Sequence, residues 1–367
     1  MKTIHEAENY KLHTYLLYLK SVFIVGISTV YIYLLVMVVV HTKLYVIFKK
    51  FLFVLFLLGL IIFLFHPGRF AASYDFIDTS DIWRHLVTVP PPENITKPLC
   101  PLMPRPRNRS DGPILLDLKF NESEIRLGGR WQPSNCLAQH KIALIIPYRN
   151  REKHLNTFIN YVHGFLQAQF IEYSIYVIEQ TPKLAFNRGL LFNIGYTWAL
   201  QYEQIPCFIF HDVDLLPETL ENVYACTNKP RHMSSSVNTF RYNLPYVTLF
   251  GGVVAMLQAQ FQMINGFPNR YFGWGGEDDD FFMRVLYKGM TIVRFSPDIS
   301  RYYMLPHIKE SSTIENEQHL QHVSVYLDRD GLNDHKRYLN NVVEKALPLY
   351  MLITADLQLP VGYDKMS

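Results

Sequence analysis

The chain has 367 residues, 49% of them hydrophobic and 18% charged, with a formal net charge of +3. So small a charged share, against a typical ~25%, excludes global disorder, and at ~150 residues per domain the length allows two domains or one large α/β unit. Residues 1–66 hold six Lys, no Arg and two Glu, leaving 29 basic and 30 acidic groups in the other 301 residues, a near-neutral body that excludes general nucleic-acid binding.

Residues 21–40 are an uncharged run of twenty, long enough at ~1.5 Å per residue to span a ~30 Å hydrocarbon core. A second apolar run covers residues 51–65, and between them Lys43, Lys49 and Lys50 break the pattern. The runs are too long for a cleaved signal peptide, and no small-residue cleavage site follows the second. The segment 1–66 therefore reads as a membrane anchor, with candidate spans at 21–40 and 44–65. Lysine-rich loops stay cytoplasmic. Three arrangements follow: a hairpin of two spans, a single type II span at 44–65, or a chain starting at Met37. Each places everything after residue 70 in the lumen.

Three sequons, at Asn94, Asn108 and Asn121, suit that side of the membrane. So do four cysteines, all past the anchor: Cys100, Cys136, Cys207 and Cys226. Four cysteines allow three pairings, of which the sequential one is simplest. The rival, zinc, is disfavoured because no C-x₂-C pair is present. Residues 67–112 contain Pro90-Pro91-Pro92, Pro98, Pro101, Pro104 and Pro106 without helical periodicity, which predicts an extended stem before a body at 113–367.

The body starts regularly. Residues 142–147 are a short apolar run fit for a buried strand, and 152–169 place Leu155, Phe158, Ile159, Val162, Phe165 and Leu166 at helical spacing. A strand at 173–178, a helix at 187–200 and a strand at 207–210 follow, the alternation of a doubly wound sheet, whose ligands bind beyond the strands' carboxyl ends. At the first such end stands Pro147-Tyr148-Arg149-Asn150-Arg151, with two guanidinium forks suited to phosphate, although an ordinary surface loop reads the same way. At the third stands His211-Asp212-Val213-Asp214, two carboxylates placed to hold Mg²⁺ or Mn²⁺ on a diphosphate.

The densest signal is Tyr271-Phe272-Gly273-Trp274-Gly275-Gly276-Glu277-Asp278-Asp279-Asp280. Four consecutive acids repel one another, which raises the pKa of a carboxylate among them toward that of a general base. The glycines let backbone approach a ligand, and Trp274 is a platform for a sugar ring. A solvated acidic loop or a calcium loop is the plainer reading, against which the flanking aromatics argue.

Together with Phe186-Asn187-Arg188-Gly189-Leu190-Leu191-Phe192-Asn193-Ile194-Gly195, Phe208 to Asp214, Phe250-Gly251-Gly252-Val253 and Asn265-Gly266-Phe267-Pro268-Asn269, this stretch resembles the β-1,4-galactosyltransferase family, in particular its invertebrate-type β-1,4-N-acetylgalactosaminyltransferase members. The resemblance runs from about Cys100 to about Asn333. It implies a Rossmann-like GT-A fold on a Golgi type II anchor and an inverting, Mn²⁺-aided transfer from a UDP-sugar to a terminal β-GlcNAc. Donor contacts are implied at Pro147, Tyr148 (where the family usually has Phe), Arg149, Arg151, Phe186, Arg188, Asp212, Val213, Leu249 and Trp274. Acceptor contacts are implied at Trp274, Gly276, Glu277, Asp278 and Asp279, with Asp278 as base and Glu277 beside it.

The metal ligands implied are Asp214, Met304 and His307, although a thioether is soft for Mn²⁺ and Met304 reads otherwise as a core residue. The disulfides implied are Cys100–Cys136 and Cys207–Cys226. Residues 316–327 depart from the family's acceptor loop before Asp330-Gly331-Leu332-Asn333 returns to it. Leu249 stands where galactose-using members have Tyr, which points to GalNAc as the preferred donor sugar, with galactose transfer or an inactive sugar-binding homologue as alternatives. A retaining transferase of the same fold fits the motif set less well.

Overall fold

The computed structural model describes residues 2–65, 73–93, 97–102, 117–308 and 313–361. They form two units, Met1–Arg69 and Phe70–Ser367. The first is one helix, α1 (Lys2–Leu64). Its stretch Val25–Leu64 is long and apolar enough to cross a membrane, and it carries large apolar side chains on every face, all exposed. Both candidate spans lie on this helix, which continues through residues 41–50 without the reversal a hairpin needs.

The second unit begins with a short helix, α2 (Ile82–His85). The strand β1 (Arg130–Trp131) leads into β2 (Lys141–Tyr148), α3 (Glu152–Ala168), β3 (Glu172–Gln180), α4 (Arg188–Tyr202) and β4 (Cys207–His211), within a residue or two of the expected elements. Then come β5 (Leu215–Pro217), β6 (Arg231–His232), β7 (Ser236–Val237), β8 (Val253–Leu257), α5 (Gln258–Met263), α6 (Glu277–Tyr287) and β9 (Arg301–Met304). α7 (Ile314–Leu320), α8 (Val323–Tyr326), β10 (Leu339–Ala346) and β11 (Met351–Leu357) complete it.

The main sheet runs β10-β11-β3-β2-β4-β8-β6, with β1 added on β3. Strands β11, β3, β2 and β4 are parallel, and β8 runs antiparallel to β4. β2 explains why the sheet is covered on both faces. Its side chains alternate, so Ile142, Leu144 and Ile146 join one core with Phe158 and Val162 of α3, while Ala143 and Ile145 join the other with Leu190 and Ile194 of α4. A small second sheet, β5-β9-β7, stands beside it.

The described part of the expected stem is laid along this body. Ile77 N donates to Arg294 O (2.9 Å), Val87 N to Cys226 O (2.9 Å) and Val89 N to Gln139 O (2.8 Å), and Ile82 is fully buried. Without a ladder of its own, the segment finds its backbone partners on the body. Disulfides join Cys100 to Cys136 and Cys207 to Cys226. The first ties this segment down, and the second ties β4 to the loop before β6. Asn121 is exposed, its amide oxygen accepting from Ser123 Oγ at 2.9 Å. Asn94 and Asn108 lie outside the described residues.

Candidate functional site

At the carboxyl ends of β2 and β4 the body opens into a cavity of about 720 Å³. Pro147, Arg149 and Arg151 reach it from the end of β2, Phe186 and Arg188 from the start of α4, and Asp212, Val213 and Asp214 from the end of β4. Tyr148, adjacent to them, does not: strand alternation turns it into the core, 9% exposed. Arg149 is aimed by donating to Leu184 O at 2.7 Å, with its guanidinium 5.2 Å from the Phe186 ring centre.

Asp214, Met304 and His307 come together because β5 and β9 pair, with Leu215 opposite Met304 and Leu305 N donating to Asp214 O at 2.7 Å. Asp214 Oδ2 accepts from Arg151 Nη1 at 2.9 Å and lies 3.1 Å from His307 Nδ1. Met304 Sδ accepts from Thr239 Oγ1 at 3.6 Å. Among the described residues no group of three or more His, Cys, Asp and Glu is arranged to hold a metal. A carboxylate oxygen and an imidazole nitrogen at the wall of one cavity nevertheless fit a divalent cation such as Mn²⁺, with the thioether as the softer third donor. His307→Ala is therefore expected to raise the Mn²⁺ concentration needed for half-maximal activity while leaving the thermal midpoint near that of the wild type. An unchanged metal requirement would take His307 out of the site.

The four acids separate. Helix α6 begins at Glu277 after Gly276, whose φ of +89° is one that L side chains rarely adopt. Glu277, Asp278 and Asp279 then face the cavity. Asp280 turns inward instead: its Oδ1 pairs with the fully buried Arg284 at 2.5 Å, and its Oδ2 accepts from Tyr271 Oη at 3.0 Å. Arg284 also donates to Asp330 O at 2.7 Å, and the Asp330 carboxylate holds Arg270 at 2.9 Å and Asn269 N at 2.8 Å. Thus the fourth acid and the Asp330 turn are braces beneath the site.

Arg188 is clamped between Asp212 (Nε–Oδ1 2.6 Å) and Glu277 (Nη1–Oε1 3.4 Å). Gly251 lies against Asp278, so close that a Cβ there would sit 2.5 Å from Asp278 Oδ2. Burial, and then the neighbouring Asp278, push Glu277 up to about 7, against the pull of Arg188. The same two causes push Asp279 up to about 6. Between its ordinary range and those values each of these two carboxyls holds a proton in the folded chain that it has lost in the unfolded chain, so its own contribution to stability falls as pH rises. The buried His163 and His211, lowered by burial to about 4 and about 3, contribute in the opposite sense over the same window. The thermal midpoint of ligand-free Glu277→Gln, taken relative to the wild type, is therefore expected to rise from about pH 4.5 to pH 7, and a difference that falls across this window would contradict the assignment.

Leu249 is half-buried in the cavity wall and Trp274 is 59% exposed at the cavity's edge. Among lining residues without a sequence signal are His232, Tyr246 and Thr313, whereas Asn316, Glu317 and Leu320 belong to the 316–327 stretch that departs from the family's acceptor loop. Tyr246 O accepts from Leu249 N at 3.2 Å, but an exposed loop Tyr looks like any other. The α7 residues arrive through contacts more than 30 residues apart, such as Asn316 Nδ2 with Trp274 O at 3.4 Å.

Residues 108–227 match the family described as the N-terminal region of glycosyl transferase group 7, and residues 231–308 match one described as the N-terminal domain of galactosyltransferase. Human β-1,4-galactosyltransferase 1 is 38% identical over 288 residues, 75% of this chain and 72% of its own length. The mouse β-1,4-galactosyltransferase 1 is 42% identical over 261 residues, 68% of this chain and 65% of its own length. Among solved structures, the catalytic domain of Drosophila β-1,4-galactosyltransferase 7 in complex with xylobiose is 25% identical. It covers 62% of this chain and 97% of that one, with a TM-score of 0.51. A mutant of that enzyme, in complex with manganese, UDP-Gal and xylobiose, has the same TM-score at 24% identity.

Proposed function

The chain belongs to the β-1,4-galactosyltransferase family, and we propose that this member transfers GalNAc, in preference to Gal, from the UDP-sugar to O4 of a terminal β-GlcNAc. One observation carries the reading: a single cavity gathers three arginines, the Asp212-Val213-Asp214 stretch, Leu249 and three carboxylates. Arg149, Arg151 and Arg188 would bind the diphosphate and stabilise the charge that UDP gains as it leaves. Mn²⁺ held by Asp214, His307 and Met304 would supply further charge neutralisation on that diphosphate. Asp278 takes the proton from the acceptor O4 as this oxygen bonds to the anomeric carbon. The bond from that carbon to the phosphate oxygen breaks, and the single displacement inverts the configuration. Trp274 stacks on the acceptor sugar, beside Gly276 and Asp279.

The test incubates the protein with UDP-GalNAc or UDP-Gal and a β-GlcNAc acceptor, with and without Mn²⁺, and identifies the product linkage. A Mn²⁺-dependent β-1,4 product with GalNAc in excess supports the reading. Galactose in excess would make the protein an N-acetyllactosamine-type enzyme. No product, with sugar nucleotide still bound, would make it an inactive sugar-binding member.

The same reading places α1 in the Golgi membrane and residues 113–367, with the segment packed on them, in the lumen. Expressed in a secretory cell, the protein is expected to lose apparent mass on N-glycosidase treatment, and less so in Asn121→Gln. Absence of any shift, with a C-terminal tag open to protease in intact vesicles, would reverse the orientation.

A further inference from the structure

Segment 245–252 forms the cavity wall that carries Leu249, Gly251 and Gly252, and a residue outside the cavity holds it. Arg294 is buried, 4% exposed. Its Nη2 donates to Val247 O at 2.7 Å and to Leu249 O at 2.9 Å, and its Nε donates to His232 Nδ1 at 3.0 Å. Accepting at Nδ1 leaves the neutral imidazole its Nε2 proton to donate, and Nε2 lies 3.1 Å from Gly251 O. Burial, and then Arg294, hold the His232 pKa well below its ordinary value, which keeps the ring neutral. One guanidinium thus fixes three carbonyls of the wall, two directly and one through His232. Ser234 Oγ donates to the third as well, at 3.2 Å.

Arg294 is in turn held by the segment that precedes the body. The Tyr74 ring centre lies 5.1 Å from its guanidinium, Tyr74 Oη donates to Ser235 Oγ at 3.2 Å, and Ile77 N donates to the Arg294 carbonyl at 2.9 Å. The face of an aromatic ring offsets part of the cost of burying the cation. So the same short segment grips Arg294 by both side chain and backbone.

We propose that Tyr74 and Arg294 are positioning residues for the donor sugar: the segment before the catalytic body sets, through one guanidinium, where the Leu249 wall stands. The inference rests on the reading of Leu249 given above and adds the residues that act through it. Neither residue touches the cavity, so the effect expected is on sugar selectivity and not on the grip of the diphosphate.

The experiment uses the full chain in detergent with Mn²⁺. Calorimetry gives Kd for UDP-GalNAc, UDP-Gal and UDP, and hydrogen exchange follows the amides of residues 245–252. In Tyr74→Ala and Arg294→Met the wall amides should exchange faster. The ratio of the two UDP-sugar affinities should move toward one, by ~10-fold, within the range that pocket shape alone discriminates. The Kd for UDP should hold. Tyr74→Phe keeps the ring over the guanidinium and should restore both readouts. Faster exchange with an unchanged ratio, or an equal weakening of UDP, would overturn the proposal, as would no change in either readout. Should Arg294→Met fail to fold, Tyr74→Ala decides alone. A wild type that binds neither sugar nucleotide would sink the functional reading instead, and the exchange comparison would then decide whether Tyr74 and Arg294 hold the wall.

Discussion

Asp278→Asn should lower transfer by ~10²–10⁴-fold, the loss expected when a general base is removed, while Kd for the UDP-sugar stays within a few-fold of the wild type. The substitution keeps shape and removes the ability to take a proton. Asp278 is singled out from its neighbours by their partners. Glu277 faces Arg188 at 3.4 Å, Asp279 is pushed up to about 6 by burial and then by Asp278, and Asp280 is spent on the buried Arg284 at 2.5 Å. Among the described residues Asp278 accepts at Oδ1 only from the Asp279 backbone N–H, at 3.0 Å, and its Oδ2, beside Gly251 at the cavity, is left to meet the acceptor. Glu277→Gln should act differently. It loosens Arg188 and so should weaken UDP-sugar binding as well as turnover. Asp278→Asn retaining most of its turnover would show that the proton leaves by another route.

What the sequence disclosed about this site, and what it did not, follows from the range of the interactions involved. The units β2–α3–β3–α4–β4 were legible because the continuous apolar run Ile142 to Ile146, which suits a strand buried on both faces, and the helical spacing in Leu155 to Leu166 are local signals. Strand ends follow from strands, so the arginines and Asp212 to Asp214 were found with them. The Asn265 to Asn269 and Asp330 to Asn333 motifs were visible as patterns, but their work was not. Asn193 Nδ2 reaches Phe267 O at 2.7 Å and Asn269 Oδ1 at 2.8 Å, and Leu332 N reaches Asn265 O at 2.8 Å. These bonds close loops of more than 60 residues, and nothing in the local chain announces them.

The segment before the body misled for the same reason. Its prolines correctly deny it a ladder of its own, yet Ile77 and Val87 find backbone partners more than 100 residues away, at Arg294 and Cys226. Tyr148 misled through parity: the run of donor contacts expected at the end of β2 includes a position that alternation sends inward.

Leu249→Tyr should turn the preference from UDP-GalNAc toward UDP-Gal. Leu249 is half-buried in the wall, its carbonyl held by Arg294 and its amide by Tyr246 O at 3.2 Å. The backbone is therefore fixed, and a change of side chain alters the space in front of it rather than the loop. With Leu the wall is apolar and short, leaving room for a 2-acetamido group whose methyl packs on it, a contact worth ~1 kcal/mol. With Tyr, a ring and hydroxyl project into that room and crowd the acetamido group. Discrimination by pocket size is ~10–200-fold, so the ratio of kcat/KM for the two donors should move by that order, mostly through loss of GalNAc transfer. Binding of UDP alone should hold, because Arg149, Arg151 and Arg188 are untouched. A wild type that already favours UDP-Gal, or a Leu249→Tyr variant whose ratio stays put, would mean the C2 substituent is read elsewhere on the cavity wall, which Tyr246, His232 and Phe240 also line.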